Sequence, residues 1–138
     1  LMYAEALNES KKAPDDEVYY YIDEVRHRAG LDGVKKSWQD HSTNPSKPAT
    51  KVGMREIIQR ERTIELAFEG HRFWDVRRWK ELGQTANIYG VKITKNNEVI
   101  SYEKFLLETR AVTDNMYFYP IPNTERFKNP NLGQNPGW

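Results

Sequence analysis

The stretch RERTIELAFEGHRFWDVRRWK, residues 60–80, carries the periodicity that decides the fold of this 138-residue chain. Apolar side chains recur through it, and upstream as far as Val52, at spacings of three and four residues, which is the period of a helix with one buried face. The pattern predicts a long helix from about Val52 to Leu82, ended by Gly83. Gly70 lies inside it, and glycine costs a helix interior about 1 kcal/mol against alanine, so we expect a bend there.

Three carboxylates share one stripe of the predicted helix. Glu61, Glu65 and Glu69 are spaced at i, i+4 and i+8, and like charges at that spacing oppose helix formation by about 0.2–0.5 kcal/mol per pair. Arginines within helical reach offset this repulsion, so the stripe predicts an ion-pair network beside a buried apolar face. The expected polar partners are Arg62 with Glu65, Arg72 with Glu69 and Arg78 with Asp75, and the residues expected to be buried are Phe68, Phe73, Val76 and Trp79.

Two kinds of chemistry are alternatives to this structural interpretation. In the first alternative, Glu61 and Glu65 on one helix face act as the carboxylate pair of a retaining glycosidase, about 5–5.5 Å apart. The neighbouring arginines, however, favour a lowered pKa for these carboxyls, whereas a general acid needs a raised pKa. A metal site on a helix needs ligands three or four residues apart, and His71 is only two residues from Glu69. The sequence therefore predicts no catalytic residue, no metal ligand and no enzymatic activity.

The other residues that could support chemistry or ligand binding lack a supporting context. His27 and His41 have no acid or nucleophile at a useful spacing, so both are expected at the surface. The tryptophans that could stack on sugar rings are Trp38, Trp74, Trp79 and Trp138. Burial is favoured for the two inside the helical stretch and, less strongly, for Trp38 and Tyr102. Nothing in the sequence suggests a cofactor.

The first 31 residues predict a tetratricopeptide-like hairpin of two helices. The first helix begins at residue 1, Asp15 is the expected N-cap of the second, and Gly30 ends the second. Residues 32–50 have the composition of a loop, since two prolines exclude a long helix, and Trp38 is expected to pin this loop to the protein. Residues 51–83 then hold the long bent helix.

Residues 84–138 predict a small β-hairpin followed by extended chain and turns. Two β-leaning segments, 87–94 and 98–102, flank an Asn-Asn turn dipeptide. Residues 104–112 are compatible with strand and helix alike. Prolines predict that residues 116–121 are extended. The predicted fold class is therefore mainly α, with a helical hairpin, a long bent helix and a small β-containing C-terminal region.

Composition excludes several classes of protein. The 21 basic and 20 acidic residues leave a net charge of +1, too small to gather a phosphate backbone, so no nucleic-acid partner is expected. The lack of cysteine excludes disulfides and thiolate metal sites. No apolar run approaches the roughly 20 residues of a membrane-spanning helix. The first residues read as helix without a cap, so we expect a piece of a longer protein, with any signal peptide or anchor upstream.

Three segments, in order, resemble the SusD/RagB family of outer-membrane nutrient-binding lipoproteins. Residues 60–80 resemble its signature segment. LMYAEALNES and YIDEVRHRAGL, within residues 1–31, resemble the end of its tetratricopeptide region, and YPIPNTERFKNPNLGQNPGW, residues 119–138, resembles its closing PIP…E…NP…QNPGY pattern. Two departures are small: Trp138 stands where tyrosine is usual, and Val76 where leucine is common. The resemblance makes residues 1–138 the C-terminal part of one SusD/RagB-like domain.

The resemblance implies a mostly helical fold and a lipid anchor, upstream of this chain, on the external face of the outer membrane. It implies capture of oligosaccharide or another nutrient for a TonB-dependent transporter of the SusC type, without catalysis. The matched motifs are scaffold motifs, so the resemblance assigns no ligand-binding residue and does not name the ligand. The alternative interpretation is a tetratricopeptide-like scaffold for protein partners that binds no sugar.

Two consequences of this interpretation are measurable. Burial of Phe68 predicts that Phe68→Ala costs about 3–5 kcal/mol of stability. The apolar stripe of Leu1, Tyr3, Ala4 and Leu7 is expected to be incompletely covered by the second helix. The isolated chain is then expected to be less stable than its parent and to associate through its first helix or bind upstream segments of its own protein. Sedimentation of the isolated chain tests this.

Overall fold

A computed structural model describes residues 1–97 and 99–138 and divides the chain into two compact units, Leu1–Arg72 and Phe73–Trp138. The described residues form helices α1 (Met2–Ser10), α2 (Asp16–Arg28), α3 (Val34–His41), α4 (Lys51–Glu65), α5 (His71–Arg78) and α6 (Asn123–Lys128), strands β1 (Asn87–Asn96) and β2 (Val99–Thr109), and 3-10 turns at Lys47–Ala49, Leu82–Thr85 and Asp114–Tyr117. The fold is mainly helical with a small antiparallel sheet, as the sequence predicts. The tetratricopeptide-like character of the α1–α2 hairpin stays a prediction.

The core of the first unit is built from one face of each of its first four helices. Its fully or nearly buried members are Ala4, Val18, Tyr19, Ile22, Val34, Met54, Ile57 and Ile58. Burying an aliphatic side chain of this size stabilises a fold by about 1.5–3 kcal/mol, so this cluster holds the four helices together. Asp15 caps α2 as predicted, because its carboxylate accepts a hydrogen bond from the Val18 N–H at 3.3 Å.

The apolar stripe on α1 is partly covered. Ala4 is fully buried, and Leu1 and Leu7 pack against the core from half-buried positions. Tyr3 is exposed, yet its ring contacts Tyr21 edge-to-face, with centroids 4.5 Å apart. The second helix alone does not cover the stripe, as predicted, because α4 as well as α2 packs on α1.

The predicted loop over residues 32–50 contains helix α3, so this prediction is wrong in part. The cap of α3 comes from another helix: the Asp23 carboxylate on α2 accepts a hydrogen bond from the Val34 N–H at 2.7 Å. Gly33 permits this approach, since a Cβ there would lie 2.6 Å from an Asp23 oxygen. Trp38 packs half-buried against the core, which agrees with its expected pinning role.

The predicted long bent helix is two helices separated by a turn over residues 66–70. Phe68 and Gly70 have φ angles of 67° and 78°, in the left-handed region that an α-helix cannot contain. This break interrupts the helical register, so the apolar face of α4 does not continue into α5. Four residues were expected to be buried: only Val76 is, Trp79 is half-buried, and Phe68 and Phe73 are exposed.

The exposure of Phe68 reverses the expected result of Phe68→Ala. The side chain is fully solvent-accessible, so we now expect a change within about 0.5 kcal/mol. Phe68→Gly is expected to raise stability by about 1 kcal/mol, because glycine adopts a positive φ without the Cβ penalty. Thermal melts of both variants beside the parent chain test this. A large loss in the alanine variant would show that the ring packs after all.

The second unit contains a long antiparallel hairpin. Strands β1 and β2 pair from Asn96↔Val99 to Asn87↔Thr109, with an irregularity in register between Ile88 and Tyr89. Asn97 occupies the turn with a φ of 55°, a conformation that asparagine tolerates well. The predicted hairpin is confirmed and is longer than expected, since β2 takes in most of the ambiguous residues 104–112. Glu98, at the start of the second predicted strand, lies outside the described residues.

The closing residues are less extended than predicted. Met116 and Tyr117 belong to a 3-10 turn, so the prediction of extended chain over residues 116–121 is wrong for these two. Phe118 has extended backbone angles, φ −124° and ψ 149°. The short helix α6 follows, and turns complete the chain to residue 138.

A carboxylate ties the end of α1 to α4 and gives the first unit a pH dependence. Glu9 accepts two hydrogen bonds from Arg55, each 2.6 Å, and this guanidinium lowers the pKa of Glu9. A lowered folded-state pKa contributes stability that is present above the unfolded pKa and is lost as pH falls through the folded value. On lowering the pH below about 4.5, we expect the parent melting temperature to fall more than that of Glu9→Gln. The pair contributes under about 1 kcal/mol to stability because it is partly exposed. If the melting temperatures of the two proteins fall equally as the pH is lowered, the prediction is wrong.

Candidate functional site

The carboxylate stripe of α4 forms ion pairs with α2. Glu61 pairs with Arg26, and Glu65 pairs with Arg28. Arg26 also donates hydrogen bonds to the Asp32 carbonyl at 2.9 Å and to the Ser37 hydroxyl at 2.8 Å. This one guanidinium therefore links α2, the start of α3 and α4.

Pairing of the stripe with arginine is confirmed for two of the three carboxylates. Glu69 is the exception: its carboxylate has the His71 Nε2 at 3.8 Å. The pair predicted within α5 is present, with Arg78 Nε donating to Asp75 at 2.8 Å. Sequence spacing identified the acids that pair but not the helix that supplies the partners of Glu61 and Glu65.

The network has the geometry of a scaffold. The general acid of a glycosidase is a carboxyl group that stays protonated because no cation lies next to it. Glu61 and Glu65, in contrast, each contact a guanidinium. Within the described residues no group of three or more His, Asp or Glu side chains could hold a metal ion. None of the helices in that part of the chain is long and apolar enough to cross a membrane. His27 and His41 are exposed, as predicted.

The last residues of the chain hold residues 115–121 through two side-chain amides and one indole N–H. Gln134 accepts a hydrogen bond from the Ile121 N–H at 2.7 Å and donates one to the Ile121 carbonyl at 3.0 Å. Asn135 donates to the Tyr119 carbonyl at 2.6 Å. The Trp138 indole N–H lies 3.0 Å and 3.1 Å from the carbonyls of Asn115 and Phe118. The two halves of the closing pattern are thus joined by direct contacts.

Gly137 is required by this closure. Its φ is 83°, and a Cβ there would lie 2.8 Å from the Asn115 Cβ. We expect Gly137→Ala to lower the stability of the second unit by about 2 kcal/mol, because it adds a left-handed penalty to a clash. Gly133→Ala is the matched control, since the space around Gly133 is open. Denaturant unfolding of both variants tests the difference; equal stabilities would mean that the closing residues do not hold this conformation.

An exposed aromatic surface lies beside the closing residues. Phe73, Trp74 and Tyr119 form it, with ring centroids 5.0 Å apart for Phe73–Trp74 and 6.1 Å apart for Trp74–Tyr119. The guanidinium of Arg77 lies 3.5 Å from the Phe73 ring centroid. Next to it is a groove of about 190 Å³, lined by Arg77, Met116, Phe118, Tyr119, Pro120 and Trp138. Exposed aromatic rings beside a hydrogen-bond donor can stack on a sugar ring.

The aromatic surface corrects the expected position of Trp74, which is exposed and not in the core. Tyr102 is also exposed, on β2. The sequence reasoning missed Tyr119 and Arg77. The four-residue spacing of Arg77 from Phe73 was a usable signal, because it places a cation over an aromatic ring on one helix face.

A second concavity lies in the first unit. This cleft of about 470 Å³ has an apolar wall that includes Tyr3, Val25 and Leu66. Its polar wall includes Arg28 and Glu65, which already form an ion pair with each other. The cleft therefore combines apolar and charged side chains, and its lining does not favour a single class of ligand.

Comparison with known proteins gives the family. The profile of the SusD family, SusD_RagB, matches residues 1–138. The chain belongs to the SusD family. SusD-like protein P2 of Formosa agariphila is 34% identical over 139 residues, which cover 100% of this chain and 24% of that protein. The crystal structure of a SusD-like protein from Bacteroides fragilis NCTC 9343 matches with a TM-score of 0.69 and 31% identity, over 98% of this chain and 23% of that one.

Family membership confirms the resemblance read from the three sequence segments. The chain spans about a quarter of the length of the two SusD-like relatives above.

Proposed function

We propose that the protein captures oligosaccharide at the external face of the outer membrane and passes it to a TonB-dependent transporter of the SusC type. The observation that carries this proposal is the match to the SusD family over residues 1–138. Attachment by a lipid anchor and a tetratricopeptide-like role for the α1–α2 hairpin belong to the same proposal. The ion-pair network and the closing contacts then serve as scaffold for a binding surface.

Within this chain, the aromatic surface of Phe73, Trp74 and Tyr119 is the region best suited to contact a sugar. Trp74 and Tyr119 are each more than half exposed, so part of each side chain is open to solvent in this chain. Sugar rings present C–H groups that pack on aromatic faces and hydroxyls that need donors and acceptors. Arg77, directly beside Phe73, supplies such a donor.

Calorimetry on the full protein that contains this chain tests the proposal. The probes are oligosaccharides released from several plant, algal and host polysaccharides, with the matching monosaccharides as negative controls. We expect one oligosaccharide class to bind, and Trp74→Ala to weaken that binding at least tenfold. Phe127→Ala is the matched control, because Phe127 is an exposed aromatic residue on α6 outside the aromatic surface.

The outcomes separate the parts of the proposal. If the protein binds an oligosaccharide and Trp74→Ala leaves that binding unchanged, the aromatic surface is not the binding site, but the proposal of glycan capture stands. If no oligosaccharide of the panel binds, the result favours the alternative of a scaffold for protein partners, or a nutrient that is not a sugar. Turnover of an oligosaccharide that Glu65→Gln abolishes without unfolding the protein would overturn the binding-protein interpretation.

A further inference from the structure

The turn between α2 and α3 contains a dipeptide that can react with itself. Asp32 is followed by Gly33, and this is the only place in the sequence where glycine follows aspartate or asparagine. An aspartate side chain can be attacked by the peptide nitrogen that follows it, and glycine leaves this nitrogen the least hindered because it has no Cβ. Asp32–Gly33 is therefore the position where spontaneous isomerisation of the main chain is chemically easiest.

The isomerisation adds and removes no atoms overall. The Gly33 nitrogen attacks the carboxyl carbon of Asp32, a nitrogen–carbon bond forms, and one carboxyl oxygen leaves as water with the carboxyl proton and the Gly33 N–H proton. Water then adds to either carbonyl of the five-membered imide ring. Addition at the main-chain carbonyl breaks the original peptide bond, so the chain then runs through the Asp32 side chain and is one carbon longer.

The capping of α3 requires glycine at this position. The Asp23 carboxylate accepts a hydrogen bond from the Val34 N–H, and a Cβ on Gly33 would lie 2.6 Å from an Asp23 oxygen. A larger residue that would shield the peptide nitrogen is thus excluded. Among the described residues, no group accepts a hydrogen bond from the Gly33 N–H. The cap therefore leaves a reactive dipeptide in the turn, and its reactivity depends on the groups around Asp32.

The carboxyl group of Asp32 is held in its less reactive form. Its carboxylate pairs with the ammonium of Lys36 on α3, and this hydrogen bond lowers the pKa of Asp32. Ring closure expels a carboxyl oxygen as water, which is easy from the protonated carboxyl and slow from the ionised carboxylate. Pairing with Lys36 therefore reduces the protonated fraction of Asp32 and holds its carboxylate away from the attacking nitrogen.

Two hydrogen bonds restrain the peptide group that contains the attacking nitrogen. The Asp32 carbonyl oxygen accepts one from Arg26 Nε at 2.9 Å and one from the Ser37 hydroxyl at 3.1 Å. The Arg26 side chain is only 10% exposed and pairs with Glu61, so it is itself fixed by α4. Rotation of the Asp32–Gly33 peptide towards the carboxyl carbon displaces this carbonyl and breaks both bonds. Ring closure therefore requires local opening of the turn.

We propose that Asp32–Gly33 is a latent isomerisation site that the folded chain keeps unreactive through Lys36 and Arg26, and that opening of the α2–α3 turn releases. The isoaspartate that forms lengthens the main chain directly before α3. The carbonyl held by Arg26 and the Val34 N–H capped by Asp23 then no longer fit their partners together. The modification thus marks chains that have opened and lowers the stability of the first unit.

Peptide mapping of aged protein tests the proposal. The full protein that contains this chain is incubated in mildly acidic buffer, folded in one sample and in concentrated guanidinium chloride in the other. The tryptic peptide of residues 29–35 is then separated into its aspartyl and isoaspartyl forms. We expect isoaspartate at Asp32 to accumulate at least tenfold more slowly in the folded sample. Asp32→Glu is the chemical control, because its longer side chain cannot close a five-membered ring.

A pair of lysine variants tests the role of Lys36 in the folded protein. Lys36→Gln is expected to speed the accumulation of isoaspartate at least threefold. Lys35→Gln is the matched control, since Lys35 is the preceding residue of α3 and pairs with Asp16 instead; its rate is expected to stay within twofold of the parent. Melting temperatures measured in the same buffer show that both variants remain folded.

Three outcomes would overturn the proposal. Equal rates in the folded and denatured samples would mean that the fold gives no protection. A denatured sample without isoaspartate would mean that the dipeptide is not reactive in this sequence. A Lys36→Gln protein that reacts no faster than Lys35→Gln would mean that Lys36 does not hold the site.

Discussion

Replacing Ile58 by alanine is expected to lower the free energy of unfolding of the first unit by about 2–5 kcal/mol. The Ile58 side chain is 0% exposed and belongs to the core that joins α1, α2, α3 and α4. Removing its outer carbons loses their burial and leaves a cavity that four packed helices cannot fill by small shifts. Urea unfolding followed by far-UV circular dichroism measures the change.

Ile64→Ala is the matched control for Ile58→Ala, since it makes the same chemical change on the same helix. Ile64 is 59% exposed, so its truncation is expected to cost less than about 1 kcal/mol. Losses of equal size at the two positions would contradict the orientation of α4, because the helix could not then bury the face that holds Ile58.

Gly53→Ala is expected to destabilise the first unit by about 1–3 kcal/mol, although alanine is the better helix former by about 1 kcal/mol. A Cβ at this position would lie 2.1 Å from the Lys47 carbonyl oxygen and 2.7 Å from the Thr50 hydroxyl. Thr50 is also the N-cap of α4, because its hydroxyl accepts a hydrogen bond from the Gly53 N–H at 3.0 Å. The methyl group therefore displaces a backbone carbonyl and the cap together.

Gly83→Ala is the control for Gly53→Ala, because a Cβ at Gly83 meets no atom within 4 Å. It is expected to leave stability unchanged or to raise it slightly through a less flexible unfolded chain. Chemical denaturation of both variants gives the comparison. A Gly53→Ala protein as stable as the parent would mean that the turn at Lys47–Ala49 does not pack against the start of α4.

The charged stripe shows how far sequence reasoning reaches into the candidate site. Spacing on one helix correctly indicated that Glu61 and Glu65 pair with arginines. The arginines belong to α2, 35 and 37 residues away along the chain. Spacing along one helix identifies possible partners three or four residues apart. A partner on another helix depends on how the two helices pack, and the periodicity of the sequence does not give that packing.

The aromatic residues show a second limit of prediction from local sequence. Phe68, Phe73 and Trp74 lie in an apolar helical pattern, and the pattern predicted burial because it assumed one continuous helix. The left-handed residues Phe68 and Gly70 break that helix. Phe73 and Trp74 then join Tyr119 on an exposed surface. No local rule distinguishes a glycine that bends a helix from one that helps to end it.

By itself the sequence determined the helical class, the Asp15 cap, the β-hairpin and membership of the SusD family. Each of these depends on residues within a few positions of one another, or on ordered motifs that are visible without coordinates. Only the tertiary structure decided that Asp23 caps α3, that the carboxylates of α4 pair with α2, and which hydrophobic side chains stay exposed. Those features depend on contacts between groups that are far apart in the chain. The packing of the helices determines which of these groups come into contact, and therefore which side chains are buried or form ion pairs.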